Sequence, residues 1–192
     1  GIPLLTRHEE LLYAKQIEVA RKRQVRLVFG FAVVQEKMLT IMDQLLNGDL
    51  PLDRYVRMGA QDSLNRMELV LLIQSNMHTL KGLLEKNRTE IKKAFDACLT
   101  EKTRRQHYLN ILQRRQKAVI LLAELGVRKQ IVKKLHTLVR ESYQEVAGYQ
   151  QKIDDIIAAK RRGKRRLRPA EEDRIAELES QIHEWECLNQ EK

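Results

Sequence analysis

The stretch PLLTRHEELLYAKQIEVARKR, Pro3 to Arg23, announces a helix with its own cap. Thr6 precedes Glu9 by three residues, the spacing at which a threonine hydroxyl and a glutamate carboxylate each bond a backbone N–H at a helix entrance. Such a reciprocal cap stabilises by about 1 kcal/mol, enough to set where the helix begins. Beyond it, Tyr13, Ala14, Ile17 and Ala20 gather on one side at helical spacing, with Leu11 at the edge of that face. Leu12 and Val19 emerge on roughly the opposite side. A helix apolar on both sides is ordinarily held between two layers, so this one is expected to pack inside a helical bundle.

Composition extends the expectation to the whole chain. Of 192 residues, 43% are hydrophobic, which excludes wholesale disorder. Three prolines, eight glycines and few aromatics, beside abundant Leu, Glu, Lys, Arg, Gln and Ala, belong to a helical protein. The fold class expected is all-α, an elongated multi-helix bundle with a long C-terminal helical or coiled-coil segment. The apolar run LVFGFAVV, Leu27 to Val34, is far short of the roughly 18 residues that span a bilayer, so no membrane partner is expected. Cys98 and Cys187 form neither a CxxC pair nor a disulfide framework. With no exported-type leader before the first helix, a cytoplasmic location is expected.

Outward from the opening helix, Gly30 is expected to kink the segment that follows, and a second helix to run to Leu46. The run NGDLPLD, Asn47 to Asp53, is a strong stop, followed by a loop through Gly59. The helical period resumes after Ser63. A separate piece is expected after Asn87-Arg88 with Thr89 as its cap, and another from Thr100 or Thr103 to Leu125, ended or bent by Gly126. Val127, Ile131, Leu135, Leu138 and Val146 predict a long helix to about Ala159. The expected organisation is one bundle over 1–159, a basic linker over 160–168 and an acidic amphipathic helix over 169–192. Pro169 suits that helix's first turn. Ile175, Leu178, Ile182 and Trp185 follow the three-four spacing of a coiled-coil seam, and Leu178, Ile182 and Trp185 are a candidate surface for a protein partner.

The net charge of +10 and pI near 9.7 favour an acidic partner such as nucleic acid. The excess is local: Lys160, Arg161, Arg162, Lys164, Arg165, Arg166 and Arg168 supply seven positive charges in nine residues. These are the candidate phosphate contacts. No aromatic residue interleaves them, so base stacking is not indicated. Glu171 to Glu186 follows with a net charge of −6, and the alternative is that the two blocks neutralise each other.

Signals for catalysis are lacking. There is no HExxH, no Glu-x-x-His pair, no phosphate-cradling glycine pattern and no glycine-flanked nucleophilic serine. His183 and Cys187 are four apart and can share a helix face, but a structural zinc site needs four ligands. His78, His107 and His136 fall on separate predicted helices. No enzyme activity, cofactor, metal or small-molecule substrate is expected.

The opening residues resemble a known family. IPLLTRHEELLYAKQIE is similar to region one-two, the conserved segment ahead of the core of primary, housekeeping-type sigma factors of bacterial RNA polymerase, the sigma-seventy family. Those proteins typically read P-L-L-T-x-E-E-E, three or four residues, then A-K-x-I-E. The matching positions are Pro3, Leu4, Leu5, Thr6, Glu9, Glu10, Ala14, Lys15, Ile17 and Glu18. His8 stands where an acid is usual, and Val19-Ala20 replaces an ending with glycine; neither change breaks a helix. The resemblance covers about residues 2 to 23, and the family's next block, roughly N-L-R-L-V, does not occur. Many primary sigma factors carry a variable helical insert between these two blocks, and residues 24 to 192 resemble such an insert in position and helix content. The resemblance implies a sigma-factor fragment, region one-two plus the insert, whose partners are core RNA polymerase and promoter DNA. In the family, region one-two assists recognition of the non-template discriminator, through residues that lie largely before the P-L-L-T motif. It therefore assigns no base-specific contact here; it implies that the helix from Arg7 braces the DNA-reading part against the insert. The alternative is a helical adaptor unrelated to transcription that binds a protein through the Leu178, Ile182 and Trp185 seam.

Overall fold

A computed structural model describes residues 5–57, 66–94, 100–162, 166 and 168–189. The described residues form helices and no strand: α1 (Arg7–Phe29), α2 (Ala32–Asn47), α3 (Leu52–Tyr55), α4 (Arg66–Ala94), α5 (Glu101–Glu124), α6 (Lys129–Arg162) and α7 (Pro169–Asn189). The all-α multi-helix architecture is thus the one the composition implies.

The boundaries follow local chemistry. Thr6 accepts from Glu9 N–H while Glu9 Oε2 accepts from Thr6 N–H at 2.8 Å, so the cap on α1 is complete. Gly48 ends α2 in the left-handed region, φ 84°, where its missing Cβ removes the usual penalty. Thr100 caps α5 by accepting from Thr103 N–H, which resolves the two starts left open. Gly126, φ 61°, makes the turn into α6. That turn is tied to the end of α3, where Arg128 N–H donates to Tyr55 O at 2.8 Å and Arg57 N–H to Gly126 O at 3.1 Å.

One core gathers the C-terminal end of α1 (Val28, Phe29), α2 (Val34, Met38, Met42), α4 (Ile73, Leu80), α5 (Ala118, Leu122) and the start of α6 (Val132, Leu135). Helices α4 and α5 run antiparallel: Asn76 bonds Leu121 O at one end of the pair, and Glu90 bonds His107 at the other. Helix α7 returns antiparallel along α6, with Trp185 reaching Ser142.

Several expectations are corrected. The opening helix is not held between layers: every residue from Leu5 to Gln24 is exposed, and only Val28 and Phe29 are buried. Its apolar residues are too dispersed round the axis for one body to cover them. Gly30 does not kink a continuous helix but ends α1, with Phe31 extended before α2 (φ −80°, ψ 136°). Thr89 caps nothing: α4 runs unbroken through Asn87-Arg88, and Thr89 Oγ1 donates back to Glu85 O at 3.0 Å. Asn87 is buried and accepts from Arg114 at 3.4 Å, so tertiary contact overrides a weak local stop. The linker is shorter than expected, since Lys160 to Arg162 form the last turn of α6.

Candidate protein and nucleic-acid interfaces

The motif residues Leu5 to Glu18 lie on or just before the exposed part of α1; Pro3 and Leu4 lie outside the described residues. Large apolar side chains here face solvent: Leu11 is 55% exposed, Leu12 45%, Tyr13 47%, Ile17 49% and Val19 66%. Isolated exposed leucines are ordinary, but five large apolar side chains within about two and a half helical turns make this stretch an unusually apolar exposed surface.

Where α1 joins the body, the break between α1 and α2 is clamped. A helix break orphans backbone donors and acceptors, and a buried orphan costs roughly 1 to 3 kcal/mol. Three side chains from three elements meet them. Gln35 Nε2 donates to Phe29 O at 2.9 Å, Arg115 Nε donates to Gly30 O, and Asn189 Oδ1 accepts from Ala32 N–H at 2.9 Å. Gln35 and Asn189 are 1% and 4% exposed. The Arg115 guanidinium also lies 6.0 Å from the centre of the Phe31 ring. Asn189 thus serves as the N-cap that Phe31 cannot be, from 157 positions along the chain. No local sequence signal could have found it.

The C-terminal seam is occupied within the chain. Leu178 is 1% exposed, Ile182 is half-buried, and Trp185 donates Nε1–H to Ser142 at 2.7 Å while meeting the Tyr143 ring edge-on at 6.2 Å. The surface expected to receive a protein partner is therefore spent on α6, because α6 carries the complementary apolar stripe.

The basic run is divided. Lys160, Arg161 and Arg162 close α6, where cations favour the negative end of the helix dipole, and have no carboxylate partner among the described residues. Arg166 and Glu171 each carry a further interaction, and Arg168 N–H donates to Glu171 Oε2 at 2.9 Å, which opens α7. Lys164 and Arg165 lie outside the described residues.

A second basic surface was not anticipated. A groove of about 640 Å³ between α1 and the α5–α6 turn is lined by Arg21, Lys22, Arg26 and Arg57, with Glu18 the acid among them. Glu18 pairs with Lys22 at 2.8 Å. A larger groove, about 900 Å³, lies between α2 and α4 beside Leu39, Leu71, Met77 and His78.

Between α4 and α5, Glu90 is a side-chain hub. It accepts from Asn110 Nδ2 at 2.9 Å and His107 Nδ1 at 2.7 Å on one oxygen and from Arg114 at 3.2 Å on the other. The bonds from Asn110 and His107, and the Arg114 charge, hold its carboxyl down at about 2 against the opposing effect of burial. Both carboxylate oxygens of Glu90 are engaged by side chains of α5, so the cluster reads as a structural pin. His183 lies 3.9 Å from Glu186, and among the described residues no three His, Cys, Asp or Glu side chains gather as metal ligands. Among them, no helix is long and apolar enough to cross a membrane.

Comparison with known protein families, with curated proteins and with solved structures finds no match to this chain.

Proposed function

We propose that this chain is the region one-two helix and helical insert of a primary sigma factor, supporting transcription initiation through core RNA polymerase and promoter DNA. The observation that carries the reading is the motif itself, Leu5, Thr6, Glu9, Glu10, Ala14, Lys15, Ile17 and Glu18 in family order, on a capped helix where every one of these residues is exposed. A segment that braces a DNA-reading part against an insert has to be anchored at one end and free at the other. Helix α1 has that form: Val28 and Phe29 enter the core, and the motif half is uncovered. The polar clamp at Gly30 and Phe31 gives the projecting rod a defined direction.

The alternative, a helical adaptor outside transcription, would use the same exposed apolar residues, since the α7 seam is already covered. Co-purification with core RNA polymerase separates the two. The full chain should be retained by core polymerase, and Leu11→Lys with Ile17→Lys should reduce retention at least about tenfold, a loss of about 1.4 kcal/mol. Absence of retention by the unmodified chain would remove the sigma-factor reading and leave the adaptor.

A further inference from the structure

We propose that α1 is a self-association surface, pairing antiparallel with α1 of a second copy of this chain about a two-fold axis at Gln16. The inference does not depend on the sigma-factor reading. Ala14, Glu18, Arg21 and Val25 line the groove against the α5–α6 turn, and on the opposite side of α1 Glu9, Gln16 and Arg23 form a single column at seven-residue spacing. Leu12 and Val19 run along one flank of that column, and Tyr13 and Ala20 along the other. All of these residues are exposed.

The column is complementary to itself only when reversed. With Gln16 opposite Gln16 of the second copy, Glu9 meets Arg23 and Arg23 meets Glu9. On one flank Leu12 then lies against Val19, and on the other the large Tyr13 against the small Ala20. A parallel pairing would instead set Glu9 against Glu9 and Arg23 against Arg23. Like charges at such positions select against a register, as they do in coiled coils. Arg23 has no carboxylate partner among the described residues, and the cap uses only Oε2 of Glu9. An isologous contact of this kind closes as a dimer and leaves no end on which a fibre could grow. Two heptads of helix bury less than the roughly 1,200 Å² of a standard stable interface, so the dimer is reversible and concentration-dependent.

Sedimentation velocity of the full chain over a concentration series tests this. A monomer–dimer equilibrium is expected. Leu12→Lys and Val19→Lys replace exposed side chains, so each should leave helical circular dichroism unchanged while abolishing the dimer. Arg23→Glu alone should weaken association about tenfold, because Glu9 then faces a glutamate at both ends of the pair. Glu9→Arg alone should do the same. An equimolar mixture of Glu9→Arg and Arg23→Glu chains should restore a heterodimer tighter than either homodimer, although the Glu9 carboxylate half of the capping box is lost in both Glu9→Arg samples. A chain that stays monomeric throughout, a dimer that survives Leu12→Lys, or a mixture no tighter than its components would each overturn the proposal. Polymerase retention is read separately, so failure here leaves the sigma-factor reading untouched.

Discussion

Glu90 illustrates how much one side chain contributes when its partners come from another helix. Its carboxyl is held at about 2, below the ordinary 4.5, so the ionised form is favoured in the folded chain. That contribution is complete above about pH 6 and is lost as pH falls through the range between the two values. Glu90→Gln should therefore cost about 2 kcal/mol at neutral pH, the gap closing as acid approaches pH 2. Denaturant titrations of both forms across that range check it; a pH-independent difference would mean that the charge is immaterial. Gly48 has a different cause: at φ 84° nothing obstructs a Cβ, yet the backbone conformation itself penalises one. Gly48→Ala should lower stability by about 1 kcal/mol through strain alone.

Among elements, α1 and α7 behave in opposite ways although the sequence predicts apolar contacts for both, on two sides of α1 and along one seam of α7. Helix α7 buries its seam on α6, so Leu178→Ala should cost about 3 kcal/mol, the sum of lost transfer energy and a residual cavity. Its last residue also reaches α2. Asn189→Ala leaves the Ala32 N–H without its acceptor and should cost about 1 to 2 kcal/mol. Hydrogen exchange at Ala32 and its neighbours would rise if that bond holds the α1–α2 junction, and would be unchanged if it does not. Helix α4 shows the reverse of a local signal: Asn87-Arg88-Thr89 resembles a stop and cap, but Asn87 finds Arg114 across the pair and Thr89 bonds back into its own helix.

At the scale of the whole molecule, positive charge is concentrated at two places, while Glu171 to Glu186 carries a net charge of −6. One is the end of α6 and the run after it; the other is the groove of Arg21, Lys22, Arg26 and Arg57. If the proposed promoter-DNA contact runs through Lys160 to Arg168, seven phosphates are neutralised, and log affinity against log salt on duplex DNA should fall with a slope near about −6. Fluorescence anisotropy at several salt concentrations measures the slope. Replacing Lys160, Arg161 and Arg162 by Gln should bring it to about −4. An unchanged slope would assign the contact to the α1 groove, where Arg26→Gln and Arg57→Gln would then reduce it.

By itself the sequence determined the helical class, the cap at Thr6 and Glu9, the stops at Gly48 and Gly126 and the start at Pro169, because each depends on residues a few positions apart. The family resemblance was legible for the same reason, since its motif is compact. Tertiary structure alone decided which apolar faces are covered: α7 finds a matching stripe on α6, while most of α1 finds none. It also decided that Asn189 caps α2, that Glu90 pins α4 to α5, and that Arg57 joins the arginines of α1. These are pairings between residues distant in the chain, and periodicity specifies that a face is apolar without specifying what will lie against it.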